Sequence, residues 1–67
     1  MVYENVVNYC NNERISISAF EKRCGLGNGT VSKWKNHKNI PSIKILTRIE
    51  KSTDVPIESW IRTGGVR

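Results

Sequence analysis

Sixty-seven residues make one small domain, which hides only about 60% of the surface its unfolded chain exposes and cannot hold a doubly wound nucleotide-binding sheet. The composition, 37% hydrophobic and 25% charged with five Gly and two Pro, is that of an ordered globular protein and excludes a flexible tail. The net charge of +5 is concentrated, because residues 28–51 carry Lys33, Lys35, Lys38, Lys44, Arg48 and Lys51 against Glu50 while both flanks balance to zero.

In chain order, Val2, Val6, Tyr9 and Cys10 recur at helical spacing and predict a helix from residue 2 to about 11, stopped by Asn11 and Asn12. A second helix carries Ile17, Phe20 and Cys24 on one face. Ser16 or Ser18 is its N-cap, and a Ser18–Glu21 capping box leaves the start open by two residues. Gly25 ends it with a positive φ, and Leu26 packs inward beneath the turn. Gly27, Asn28 and Thr30 each suit the start of a third helix, which has Val31 and Trp34 on its inner face and ends near Asn36. Asn39, Ile40 and Pro41 form a connection. Ser42 caps a fourth helix with Ile45, Leu46 and Ile49 on one face. Pro56 opens a fifth with Ile57, Trp60 and Ile61, ended by Gly64 and Gly65. The expected fold is all-α, a compact five-helix domain over residues 1–67 with a helix-turn-helix at about 16–36.

CGLGNGTVSKW, residues 24 to 34, poses the functional question. A phosphate-cradling nucleotide loop needs a buried strand before it or Gly-Lys-Ser/Thr at its end. Here the charged helical run AFEKRC precedes it, and Thr30-Val31 follows Gly29. What remains is helix, turn, helix, a unit whose second helix enters the major groove of DNA. With Val31 and Trp34 inward, Gly29, Ser32, Lys33 and Asn36 point outward, and Asn28 projects from the tip. These groups hydrogen-bond bases or phosphates. Asn28 has a second reading as a plain N-cap, and Gly29 one as a residue that eases the turn. The basic middle fits either a polyanion-facing surface or a solvated cationic face.

No run approaches the roughly 18 apolar residues of a membrane span, and the opening MVYENVVNYCNN has an acid and no basic leader region. The expected location is the cytoplasm of a bacterial or phage-infected cell. Cys10 and Cys24 are expected to be reduced and buried. Cys10, Cys24 and His37 have no zinc spacing, and no nucleophile and base pair stands out. No enzyme activity, cofactor, metal or small-molecule ligand is therefore expected.

The run SISAFEKRCGLGNGTVSKWKNHKNIPSIKILTRIEKSTDVPIESWI resembles the phage Cro and repressor type of helix-turn-helix protein, the xenobiotic response element family. It is most similar to small members with a pattern such as SISALEK…GLSNGTISKWK…PSxxTLxKIA. The resemblance implies a five-helix domain whose second and third helices bind an operator in double-stranded DNA. Such a protein usually acts as a homodimer on two-fold symmetric half-sites and regulates transcription, most often as a repressor. It places Asn28, Gly29, Thr30, Ser32 and Lys33 in the recognition helix. Ser16 and Ser18 fall at the phosphate-facing start of the second helix, and Asn36, His37 and Lys38 in a loop that grips the backbone. Lys35, Lys38 and Lys44 add phosphate contacts, whereas Arg48 and Lys51 are expected to be solvated. Unpaired N–H groups of the glycine-rich turn are expected to hold a DNA phosphate.

Trp60 and Ile61 are the candidate dimer contacts, with closure of the monomer core as the other reading of Trp60. Three departures from the pattern carry expectations of their own. Gly27 replaces Ser or Thr, which passes capping to Asn28 or to a phosphate. His37 replaces Gly. Thr53 replaces an apolar residue, which predicts a looser join between the last two helices. The rival class is a protein-interaction module, such as an antitoxin or a regulator antagonist on the same scaffold. A further expectation is that the chain serves as the DNA-binding part of a longer repressor.

Overall fold

The computed structural model describes residues 2–35 and 39–66. Among them are α1 (Val2–Glu13), α2 (Ile17–Arg23), a single 3-10 turn at Val31–Trp34, α3 (Ile43–Thr53) and α4 (Ile57–Ile61), with no strand. The all-α expectation holds, and the third element, expected as a short helix ending near Asn36, is a single 3-10 turn at Val31–Trp34, with Asn36 outside the described residues.

Each boundary has a local cause. α1 runs past Asn11 and Asn12 and closes at Arg14, whose φ of 56° lets its N–H donate to the Asn11 carbonyl at 3.3 Å and that of Ile15 to Cys10 at 3.0 Å. This is a Schellman closure built without glycine. α2 begins after Ser16, whose Oγ accepts from the Ala19 N–H at 3.0 Å. Ser18 is thus free of capping, and the Ser18–Glu21 box does not form. Gly25 closes α2 as expected, with the Leu26 N–H donating to the Glu21 carbonyl at 2.8 Å. Ser42 caps α3 through the Ile45 N–H at 3.3 Å.

The core gathers the inward face of every element. Val6, Phe20, Val31, Ile49 and Trp60 are buried almost completely, and Cys10, Cys24, Trp34 and Leu46 nearly so. Both cysteines are free. Tyr9, Phe20 and Trp60 form a triangle with centroid separations of 5.7, 5.5 and 5.9 Å. Tilted aromatic pairs of this kind contribute roughly 0.5–1.5 kcal/mol each beyond their burial.

Trp60 therefore leaves the set of dimer contacts. It is 0% exposed, and its indole Nε1 donates to the Val55 carbonyl at 3.1 Å. Four of the elements each contribute at least one large side chain to the cluster that surrounds it, which is why so small a domain needs it for its own core.

The end of α4 is pinned by a buried amide. Asn5 is fully buried, and its Nδ2 donates to the carbonyls of Ser59, Trp60 and Arg62 at 3.1, 2.6 and 2.9 Å. Its Oδ1 accepts from the Val66 N–H at 3.1 Å. Carbonyls at a helix C-terminus lack intrahelical partners, and Asn5 supplies one. Asn8 adds a bond from Nδ2 to the Val66 carbonyl at 3.0 Å. The tail passes so close to α4 that a Cβ at Gly65 would overlap the Ser59 carbonyl.

The α3–α4 corner is also tied. Thr53 Oγ1 donates to the Ile49 carbonyl at 2.7 Å and accepts from the Val55 N–H at 3.2 Å. Glu50 Oε2 accepts from the Ile57 N–H at 3.1 Å and caps α4. The looser join expected from Thr53 is not found, because its hydroxyl bonds on both sides of the corner.

Candidate nucleic-acid interface

The turn after α2 is built around Gly29, whose φ of 83° belongs to the left-handed region that side chains with a Cβ disfavour. A Cβ there would meet nothing within 4 Å, so backbone conformation is what calls for glycine. Helical backbone starts only at Thr30. The Lys33 N–H donates to the Thr30 carbonyl and that of Lys35 to Ser32, both at 3.2 Å. These three-residue spacings give one tight turn.

A segment this short cannot hold itself together, because helix nucleation fixes several residues for each bond gained. Two ties from outside it do so. Thr30 donates to the Gly27 carbonyl twice, from its N–H at 3.1 Å and from Oγ1 at 2.6 Å. Glu21, only 3% exposed, reaches up from α2. Its Oε1 accepts from the Gly29 N–H at 3.2 Å and its Oε2 from the Val31 N–H at 2.8 Å.

This corrects the expectation of free N–H groups for a phosphate at Gly29, Thr30 and Val31. The donors of Gly29, Thr30 and Val31 all have partners within the chain, and the anion at the turn is the protein's own carboxylate. Capping passes to Glu21, not to Asn28.

On this frame Val31 and Trp34 face the core, whereas Asn28, Ser32, Lys33 and Lys35 are exposed and Thr30 is partly so. Ser16 and Ser18 are exposed at the start of α2. Ser18 and Asn28 line one shallow cleft with Glu21, Lys22 and Leu26, so the first turn of α2 and the tip of the turn share a surface. Asn36, His37 and Lys38 lie outside the described residues. Lys44 and Lys51 are exposed on α3. Arg48 is exposed, in keeping with the expectation of a solvated side chain, and also donates from Nη1 to the Gly25 carbonyl at 3.3 Å. Ser52 Oγ likewise donates to the Arg23 carbonyl at 3.2 Å. α3 thus holds the C-terminal end of α2 from the side.

Ile61 lies apart from this face. It is 51% exposed and, with Val2, Tyr3, Trp34, Asn39, Ile40 and Pro41, lines an apolar groove in which Ile40 is 79% exposed.

Glu21 and Arg48 bond to the backbone of the turn region, contacts that pattern reading missed. For Glu21 a signal existed, since it stands four residues after Ile17 and three before Cys24, on the inward stripe of α2. No such signal marked Arg48.

Burial pushes the thiols of Cys10 and Cys24 above their ordinary value, which disfavours the reactive thiolate. Among the described residues no group of three or more His, Cys, Asp or Glu could hold a metal ion. No helix among them is long and apolar enough to cross a membrane.

A family model described as helix-turn-helix matches residues 8–60. That stretch takes in all of α2, the turn, the Val31–Trp34 segment and α3. No curated protein and no solved structure matches the chain.

Proposed function

Because the chain belongs to the helix-turn-helix family of Cro and repressor type, whose members are DNA-binding transcription regulators, we propose that it recognises a specific operator in double-stranded DNA and represses transcription there. The observation that carries this reading is the division of one short turn. Val31 and Trp34 are buried, while Asn28, Ser32, Lys33 and Lys35 are exposed beside the start of α2.

The domain of residues 1–67, with its motif at about 16–36, presents the Val31–Trp34 turn to the major groove. Asn28, Thr30, Ser32 and Lys33 hydrogen-bond base edges, with Gly29 shaping the approach. Ser16 and Ser18 meet phosphates beside α2. Lys35, Asn36, His37, Lys38 and Lys44 grip the backbone and supply the salt-dependent part of the affinity. The work is done in the cytoplasm of a bacterial or phage-infected cell and needs no cofactor.

The active form is a homodimer, with recognition turns about 34–36 Å apart on one face of the DNA. Ile61 remains its contact, together with the exposed Ile40 beside it. The same groove favours a second reading, a protein-interaction module that holds a different partner, because an exposed apolar patch marks an interaction surface.

Selection of bound duplexes from a random-sequence pool tests the proposal. A two-fold symmetric consensus, with affinity falling by a slope of about 0.9 per neutralised phosphate against log salt, is the expected result. Absence of any complex with duplex DNA in dilute buffer would leave the protein-interaction reading.

A further inference from the structure

We infer that Glu21 is the positioning residue of this interface: its buried carboxylate fills the anion cradle of the turn, so that the turn takes its DNA-ready shape without DNA and stays closed to phosphate. The inference rests on the DNA-binding reading above and adds to it the device that presets the recognition surface.

A carboxylate taken out of water costs several kcal/mol unless charge-assisted hydrogen bonds answer it. Glu21 is 3% exposed, and each of its oxygens has a backbone donor, Gly29 at 3.2 Å and Val31 at 2.8 Å. The positive φ of Gly29 turns neighbouring N–H groups toward one point, the concave arrangement that binds anions. The occupant of that concavity comes from α2, eight and ten residues earlier in the chain.

The consequence for DNA is a division of labour. With the N–H groups of Gly29, Thr30 and Val31 engaged, these three donors are withheld from a phosphate, and contact shifts toward the exposed Asn28, Ser32 and Lys33. These hang on a turn whose own bonds are few, so their placement depends on the clamp. Glutamine at position 21 keeps the size but loses one acceptor, leaving one of the two N–H groups without its partner.

Two measurements test this. In the first, inorganic phosphate is titrated into the native protein and the backbone amide resonances are followed. The Gly29 and Val31 amides should stay still at concentrations that move those of Lys33 and Lys35, and in Glu21→Ala they should shift saturably. Saturable shifts of Gly29 and Val31 in the native protein would overturn the inference. In the second, the affinity ratio between a duplex selected from the random pool and a random duplex is compared for native protein and Glu21→Gln, at matched helical circular dichroism. The ratio should fall about tenfold in the variant. An unchanged ratio in folded Glu21→Gln would overturn the positioning role. If either variant does not fold, the native phosphate titration still decides. If the native protein binds no duplex, the DNA reading fails while the titration judges the clamp independently.

Discussion

Two buried polar side chains hold two ends of this small protein, and they do it differently. Asn5 pins the C-terminal tail with a neutral amide whose two N–H bonds are shared among three carbonyls and whose oxygen accepts from one N–H. Glu21 pins the turn after α2 with a carboxylate that only accepts, from two N–H groups. The chemistry follows the local backbone. At the end of α4 unpaired carbonyls meet a returning N–H, a mixed set that an amide satisfies, whereas at the turn only donors converge, which suits a carboxylate. Both residues are structural, yet only Glu21 lies beneath the surface proposed to read DNA. Stability should therefore depend on both ends and operator selectivity on one.

The largest effect should come from the residue that joins them. Trp34, buried in the turn after α2, belongs to the same core cluster as Val2 and lines one groove with Val2, Tyr3 and Ile61. Trp34→Ala should cost about 3–5 kcal/mol, close to the whole stability of a domain this size, as seen in denaturant unfolding. A stable variant would show that the two ends are not coupled through the indole.

Asn5→Ala comes next. It leaves several buried groups unpaired and should cost roughly 2–4 kcal/mol. Operator affinity, corrected for the folded fraction, should stay within about twofold. A change in operator selectivity would erase the contrast between the ends.

Glu21→Gln should cost less, roughly 1–3 kcal/mol for one unanswered donor, while selectivity declines. Lys33→Ala sharpens the same contrast from outside. Stability should move by no more than about 0.5 kcal/mol, whereas operator binding should weaken by roughly 1–3 kcal/mol if its ammonium reads a base. Calorimetric unfolding and fluorescence anisotropy would separate the two quantities.

The smallest effect lies in the core between the ends. Burial, the largest cause in each case, holds the thiols of Cys10 and Cys24 above their ordinary 9.0. Thiols with a raised folded value ionise first in the unfolded chain. Their contribution is fully present below about pH 9 and is lost as pH rises through the folded values. The thermal midpoint should decline above pH 9, and less steeply in Cys10→Ala.

Much of the architecture could be read directly from the chain. The spacing of Ile17, Phe20 and Cys24 marked α2, Ser42 marked the start of α3, and Gly25 the close of α2. The interval between Val31 and Trp34 oriented the Val31–Trp34 turn, and with it the outward placement of Ser32 and Lys33. Asn28 was legible as exposed but not as relieved of capping. Trp60 was ambiguous because an apolar residue on a short terminal helix suits an interface as well as a core.

What the sequence alone determined was helical periodicity and the caps of Gly25 and Ser42, set by neighbours within about one turn of the chain, and the location of the basic excess, a matter of composition. The tertiary structure decided that Glu21 fills the turn, that Asn5 bonds residues 54 to 61 positions away, that Arg48 reaches Gly25 across 23, and that Trp60 lies inside. Those pairings exist only after the elements pack, because a buried donor or acceptor takes whichever partner the fold brings within reach, and no local pattern names that partner.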